Sequence, residues 1–242
     1  MATKQFQIDS LGLVTVYKRK GSKNIRLSVN SDGKIRVTMP TWLPYQAGVA
    51  FASQKIDWLH SQSQRQKFSD GQRIGKYHTL RILVKPGISA PQTRLTDTDA
   101  IVHYLGSVNS PAVQQAAHDV SKRAAKAEAE KLLPQRLKEL GLKHSLTYRS
   151  VSIRHLKSRW GSCSSLHDIT LNYYLMQLPW ELIDYVLVHE LVHTAHLNHG
   201  PEFWNRVQDC LPDYKTRRKL LQTYQPSLLE PASRNPSTYI PT

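Results

Sequence analysis

Apolar and polar positions alternate from Ile25 to Met39. Ile25, Leu27 and Val29, then Ile35, Val37 and Met39, fall on one face around an Asn-Ser-Asp-Gly turn, the pattern of a half-buried β-hairpin. The period then lengthens: Val49, Ile56 and Leu59, with Trp58, can form one face of a short helix between Ala47 and Gln64. Gly71 to Val84 reads as another strand pair around Gly75, and Pro86 to Thr98, rich in Pro, Thr and Asp, reads as a linker or long loop. Ser110-Pro111 offers an N-cap hydroxyl followed by a residue whose fixed φ suits a first helical position, so the Ala-rich run after it predicts a long helix. Pro134 lacks the backbone donor a helix interior needs and is expected to kink or break that helix, with Gly141 ending the second piece. "LTYRSVSIRHL" and "ITLNYYLMQL" look like strands on either side of "KSRWGSCSSLHD", and Leu178-Pro179 opens a further helix. The chain is therefore expected to be α+β. A mainly β subdomain with a short helix occupies residues 1–98, a second domain residues 99–225, and residues 226–242 form a poorly ordered tail.

The helix opening at Pro179 poses a problem. To about Leu197 it is apolar nearly all round (Leu182, Ile183, Val186, Leu187, Val188, Leu191, Val192), as in a helix covered on most sides. Yet His189, Glu190, His193, His196 and His199 lie in or just beyond it, and unpaired polar groups are costly to bury. On a helix, His189 and His193 are one turn apart, about 6 Å along the axis, and project from the same face, so they can share one metal ion. The spacing is H-E-x-x-H, in which two His bind zinc and the Glu beside the first acts as base toward the attacking water. A catalytic zinc usually takes three protein ligands and leaves one position open. His196 would lie about 10 Å from His189 along an intact helix, too far to share an ion at Zn–N of about 2.1 Å, so it reads as a rim or supporting histidine. His199 becomes the third ligand if the chain leaves the helix and turns back. Asn198 tolerates a left-handed conformation, Gly200 follows, and Pro201 can open a helix with Phe203, Trp204, Val207 and Leu211 as its buried stripe. Glu202 is the reserve ligand; its other reading is a first-turn acid complementing the helix dipole. The spacing also fits metzincins, but these need Gly where His196 stands and a later Met-turn, and the last methionine is Met176.

Composition narrows the setting. At 242 residues and 40% hydrophobic content the chain can hold one sizeable core or two small ones. There is no apolar run of about 18 residues and no apolar leader in MATKQFQIDS, so neither a membrane span nor export is expected, and the default location is the cytoplasm. Cys163 and Cys210 are too few and too far apart in sequence for a disulfide framework. The net charge of +15, from 33 Lys+Arg against 18 Asp+Glu, favours polyanionic partners. No nucleic-acid-binding motif accompanies it, so any such binding is expected to be nonspecific in sequence and to weaken with salt.

The early hairpin, the Trp58 region, "KSRWGSCSS", "ITLNYYL", "PWELIDYVLVHELVH", "NHGPEFW" and "PDYKTRR", taken in order, resemble the YgjP-like metallopeptidase family, relatives of the SprT-like and Wss1-like proteases. The resemblance implies a zincin-like, minigluzincin-type metallopeptidase domain acting on a protein or peptide, with Zn2+ held at the positions of His189, His193 and His199 and Glu190 as base. It also brings two rivals: hydrolysis of a nucleoside triphosphate such as UTP on the same site, and a nucleic-acid-associated protein acting on proteins bound to DNA. Two positions depart from the family pattern: Gly200 stands where Ser is common, and His196 where histidine is not usual. Neither removes a ligand.

In "SRWGSCS", Gly161 is expected to allow close backbone approach beside the metal helix, and an exposed strand edge there can pair with an extended substrate. Arg159 is a candidate to hold a substrate carboxylate or phosphate and Trp160 to pack over the site; in the alternative reading Arg159 is a structural tether and Trp160 is core. Tyr173 or Tyr174 either stabilises an oxyanion or lies in the core, and Cys163 reads as a small buried thiol rather than a ligand.

Overall fold

The structure, a computed structural model, describes residues 3–8, 11–29, 35–56 and 67–226. The chain divides into two compact units, residues 1–67 and 68–242, whereas the sequence placed its boundary between 98 and 99.

In the first unit, β1 (Thr3–Ile8), β2 (Gly12–Arg19), β3 (Arg26–Val29) and β4 (Ile35–Pro40) form a sheet in the order β1-β2-β4-β3. The expected hairpin is present: β3 and β4 are antiparallel, with Leu27 opposite Val37. Its Asn-Ser-Asp-Gly turn lies outside the described residues. β2 runs parallel to β4 and antiparallel to β1. Helix α1 (Tyr45–Gln54) covers the face made by Val14, Val16, Val37 and Met39, all fully buried. The approach is close, since a Cβ on Gly48 would lie 3.0 Å from Met39 Sδ and 3.1 Å from Val16 Cγ1. Trp58 and Leu59, expected on the same helix, lie outside the described residues.

The second unit begins with β5 (Thr79–Val84), β6 (Gln92–Leu95) and β7 (Asp99–Tyr104), in the order β5-β7-β6. The stretch from Pro86 to Thr98 is thus not a linker, because β6 pairs antiparallel with β7 inside it. Three of its four side chains are exposed and only Leu95 is half-buried, so it lacks the apolar alternation that reveals a strand. Helix α2 (Pro111–Lys143) starts at Ser110, whose side chain accepts from the Val113 amide, and runs for 33 residues. Pro134 does not break it. Leu133 and Leu137 on either side are fully buried, and burial of about 1.5–3 kcal/mol apiece outweighs the roughly 3 kcal/mol that an interior proline costs. Gly141 lies inside the last turn and admits the next one, since a Cβ there would stand 2.8 Å from the Leu146 carbonyl oxygen.

Of the strand pair expected around Gly75, the second strand is β5 and the first is reduced to an antiparallel bridge of Arg73 to Thr79, with the turn between them folded over a buried carboxylate. Glu128 of α2 is 3% exposed, and its oxygens accept from the amides of Lys76 (2.5 Å), Tyr77 (2.9 Å) and His78 (2.8 Å) and lie 2.6 Å from His78 Nδ1. Burial alone would raise its pKa, but the His78 ring and the three amides outweigh that and hold the carboxyl below its ordinary range. A side chain on Gly75 would overlap this carboxylate.

β8 (Ser150–Arg154), β9 (Gly161–Cys163) and β10 (Asp168–Asn172) form a second small sheet in the order β8-β10-β9, which leaves β9 at an edge. "ITLNYYLMQL" is not one strand. At Asn172 the side chain accepts from the Tyr174 amide and donates to the carbonyls of Leu156 and Arg159, turning the chain into a 3-10 helix over Tyr173–Gln177. Three helices follow: α3 (Trp180–Val192), α4 (Pro201–Cys210) and α5 (Tyr214–Leu221). Arg136 clamps α2 to α3, its Nε and Nη2 donating to Asp184 at 2.8 and 2.7 Å. Cys163 and Cys210 are both free. Among the described residues no helix is long and apolar enough to cross a membrane.

Candidate active site

The apolar residues of α3 are buried on nearly all sides, as its sequence requires, but the helix ends at Val192 rather than near Leu197. His193 is the cap residue: its amide donates to the His189 carbonyl at 3.3 Å, and its Nδ1 lies 3.1 Å from the His196 carbonyl oxygen. A carbonyl only accepts, so Nδ1 carries the proton and the Nε2 lone pair is left for a ligand bond. The early exit lets the chain return. His199 Nε2 comes 3.0 Å from His189 Nε2, and one ring nitrogen from each of His189, His193 and His199 lies within 4.8 Å of the others. Two nitrogens at about 2.1 Å from one tetrahedral ion stand about 3.4 Å apart, so the three fit a single ion with little adjustment.

Burial, then the neighbouring His193, His199 and Arg218, push the His189 pKa down to about 3, which keeps this imidazole neutral and able to ligate. Among the described residues its buried Nδ1 has no hydrogen-bond partner, which leaves Nε2 to make its polar bond.

The first turn of α4 holds the triad from below. The ring of Phe203, fully buried, is 4.9, 4.5 and 4.7 Å from those of His189, His193 and His199. Trp204 stacks on His199 (5.6 Å, 23°) and on Tyr214 (5.6 Å, 16°), with the Arg218 guanidinium 4.5 Å from its ring centre. The sequence marked Phe203 and Trp204 only as a buried stripe. Their position directly after the reversal, at the start of a helix opened by Pro201, is the signal that they must pack against His199.

Glu190 is 5% exposed and faces β9. A Cβ on Gly161 would lie 2.7 Å from its Oε1 and 2.8 Å from its Cγ, so the close backbone approach at this glycine is against Glu190 itself. Burial pushes the Glu190 carboxyl up to about 8, with Arg159 pulling the other way. The Arg159 guanidinium is exposed and forms no hydrogen bond or ion pair among the described residues. Trp160 is half-buried against the core, yet with Lys157, Tyr185 and Arg218 it also lines a cleft of about 490 Å³. The Tyr185 ring is 6.0 Å from that of His189, which puts this cleft beside the triad.

His196 and Glu202 stay outside the converging nitrogens. The His196 ring is 3.6 Å from the Glu202 carboxylate, whose side chain is 87% exposed. Tyr173 and Tyr174 are both buried, ring against ring at 4.6 Å, and burial pushes the Tyr174 hydroxyl up. Burial likewise pushes the Cys163 thiol up to about 11, so it stays protonated.

A family model described as YgjP-like, metallopeptidase domain, matches residues 23–224. The chain belongs to the YgjP-like family. The match takes in Glu190 and all three histidines, and a metallopeptidase family implies a divalent metal, for which the triad supplies the donors. Among solved structures, this YgjP-like chain is similar to the metallopeptidase zymogen abylysin of Pyrococcus abyssi, with 24% identity and a TM-score of 0.35 over 38% of this chain and 93% of that one. It is also similar to the zymogen jannalysin of Methanocaldococcus jannaschii, with 23% identity and a TM-score of 0.33 over 37% and 93%. No curated protein matches it.

Proposed function

We propose that this chain is a zinc-dependent, zincin-like peptidase in which His189, His193 and His199 hold the ion and Glu190 is the general base. The observation that carries the reading is the convergence of three imidazole nitrogens, with a buried carboxyl on the residue next to His189. Three protein ligands leave the fourth position of a tetrahedral ion to water or substrate. Zinc, when bound, polarises the scissile carbonyl and makes a water acidic enough to lose a proton near neutral pH. Glu190 receives that proton on a carboxylate oxygen and passes it to the nitrogen of the leaving amine as the C–N bond breaks. Glu190 would be held in its carboxylate form, against the effect of burial, by a cation bound to the three histidines. Among the described residues β9 pairs with β10 alone, and its other edge can align an extended peptide beside Glu190.

A second reading keeps the same site and changes the substrate. The cleft beside Tyr185 is lined by Lys157 and Arg218 with no carboxylate, and the unpaired Arg159 is near, an environment suited to a nucleoside triphosphate. The test incubates zinc-loaded wild type and Glu190→Gln with casein and with UTP in parallel, and measures products and zinc content. Casein cleavage that falls by about two to four orders of magnitude in the variant, at unchanged zinc, supports the peptidase. Turnover of UTP alone moves the assignment to the second reading. Full activity of Glu190→Gln on either substrate rules out the proposed base.

A further inference from the structure

The positive charge of the chain is unevenly placed. Residues 1–67 hold 11 Lys+Arg and 3 Asp+Glu, a net +8 of the total +15 in little more than a quarter of the length. The three acids, Asp9, Asp32 and Asp57, lie outside the described residues, and no carboxylate side chain occurs among the described residues of this unit.

The two faces of its sheet differ. α1 packs on the one that carries Val16, Val37 and Met39. Strand side chains alternate, so the intervening residues of β2 and β4 point the other way, where none of the described elements of the same unit packs. The register sets Thr15 beside Arg36, Tyr17 beside Thr38, and Thr38 beside Arg26. Arg36 lies over the Tyr17 ring at 4.0 Å, which places both on this face. Arg19 continues the Tyr17 row at the end of β2, and Arg19 and Arg26 are exposed. None of these three arginines has an ion-pair partner among the described residues.

Planar cations, an arginine-covered aromatic ring and hydroxyls, without an acid, suit a ligand with regularly spaced negative charge and flat apolar surfaces. A single nucleic-acid strand has both, phosphates for the arginines and bases to stack on the Arg36–Tyr17 platform. A duplex hides its base faces, and an anionic membrane calls for a broad apolar wedge, whereas Leu13 is the one exposed large apolar side chain among the described residues of the Tyr17 and Arg36 rows. We propose that the open face of the N-terminal sheet binds single-stranded nucleic acid through Arg19, Arg26, Arg36 and Tyr17. This surface stands apart from the peptidase reading and does not depend on it.

The experiment titrates labelled dT20 and rU20 with full-length, zinc-loaded protein, following anisotropy at several salt concentrations. A hairpin duplex and phosphatidylserine vesicles serve as competitors. Both single strands should bind, with affinity falling linearly on a log–log salt plot. Replacing Arg19, Arg26 and Arg36 together by Gln should weaken binding at least about tenfold and flatten the salt slope by about two, at unchanged zinc content and melting temperature. Tyr17→Leu should weaken binding by about tenfold with the slope unchanged, the signature of lost stacking. Lys126, Lys138 and Lys143 changed together to Gln remove as much charge from the second unit and should leave binding within about twofold. An equal loss in that control, tighter competition by the duplex or the vesicles than by single strand, or no binding of either oligonucleotide at low salt overturns the proposal.

Discussion

The carboxylate of Glu190 lies against the α-carbon of Gly161, and a methyl group there would stand 2.7 Å from Oε1 and 2.8 Å from Cγ. The edge strand β9 and helix α3 are thus fitted to each other at the buried side chain that follows His189. Relief by turning the carboxylate tip alone is not enough, because Cγ is as close as the oxygen.

Gly161→Ala should therefore displace the Glu190 carboxylate, the proposed base, while sparing the three histidines. The expected result is about a hundredfold loss of hydrolysis, the usual cost of misplacing a catalytic group by about 1 Å. Zinc content should stay at the wild-type level, because the three atoms nearest this position all belong to Glu190. Turnover and metal analysis on the same preparation check it; loss of zinc together with activity would mean that β9 supports the histidines instead.

His199→Ala should lose zinc to the same degree as His189→Ala, whereas His196→Ala should keep it. The reason is that His196 serves the triad through its backbone carbonyl, which orients His193 and survives the substitution. Metal analysis of the three purified variants decides the matter. Zinc lost from the His196 variant and retained by the His199 variant would reverse the assignment.

Glu128 makes stability depend on acid. Its folded-state pKa is depressed, so its contribution is complete above the ordinary glutamate pKa and is lost as pH falls through the folded value. Glu128→Gln presents an amide group to the donors of Lys76, Tyr77 and His78 and should cost about 2 kcal/mol at pH 7. The difference between wild type and variant should shrink by pH 4. Urea unfolding at both pH values measures it, and a difference independent of pH would show that the carboxylate charge is not what the loop requires.

What the sequence revealed and what it hid divide along a physical line. The pairing of β3 with β4 and the Ser110 cap are written in short-range chemistry, in alternation and in a hydroxyl before a proline. The return of the chain to His199 occurs, but not by the left-handed turn that Asn198 and Gly200 suggested: neither has a positive φ, and Gly200 is extended at φ −74° with open space where a Cβ would stand. Strand β6 was hidden because its side chains are mostly exposed. The unbroken passage of α2 through Pro134 was hidden because it depends on what Leu133 and Leu137 bury, which is tertiary information. The ends of β10 and α3 were misplaced for a related reason: Asn172 and His193 stop them through bonds to backbone groups several residues away. Glu128 gave no sequence signal, since its partners are amides more than 45 residues distant.

Helix α2 is about 50 Å long at 1.5 Å per residue, and along that length it meets the β5–β7 sheet, β8 and α3 in turn. The smallest transplantable piece carrying the triad is consequently larger than the motif suggests. A fragment cut at residue 99 would discard β5, β6 and the loop that satisfies Glu128, and would strip the cover from the buried N-terminal half of the helix that anchors α3. A fragment from residue 68 to 226 retains every one of these partners and is the natural unit for expression, grafting or directed evolution.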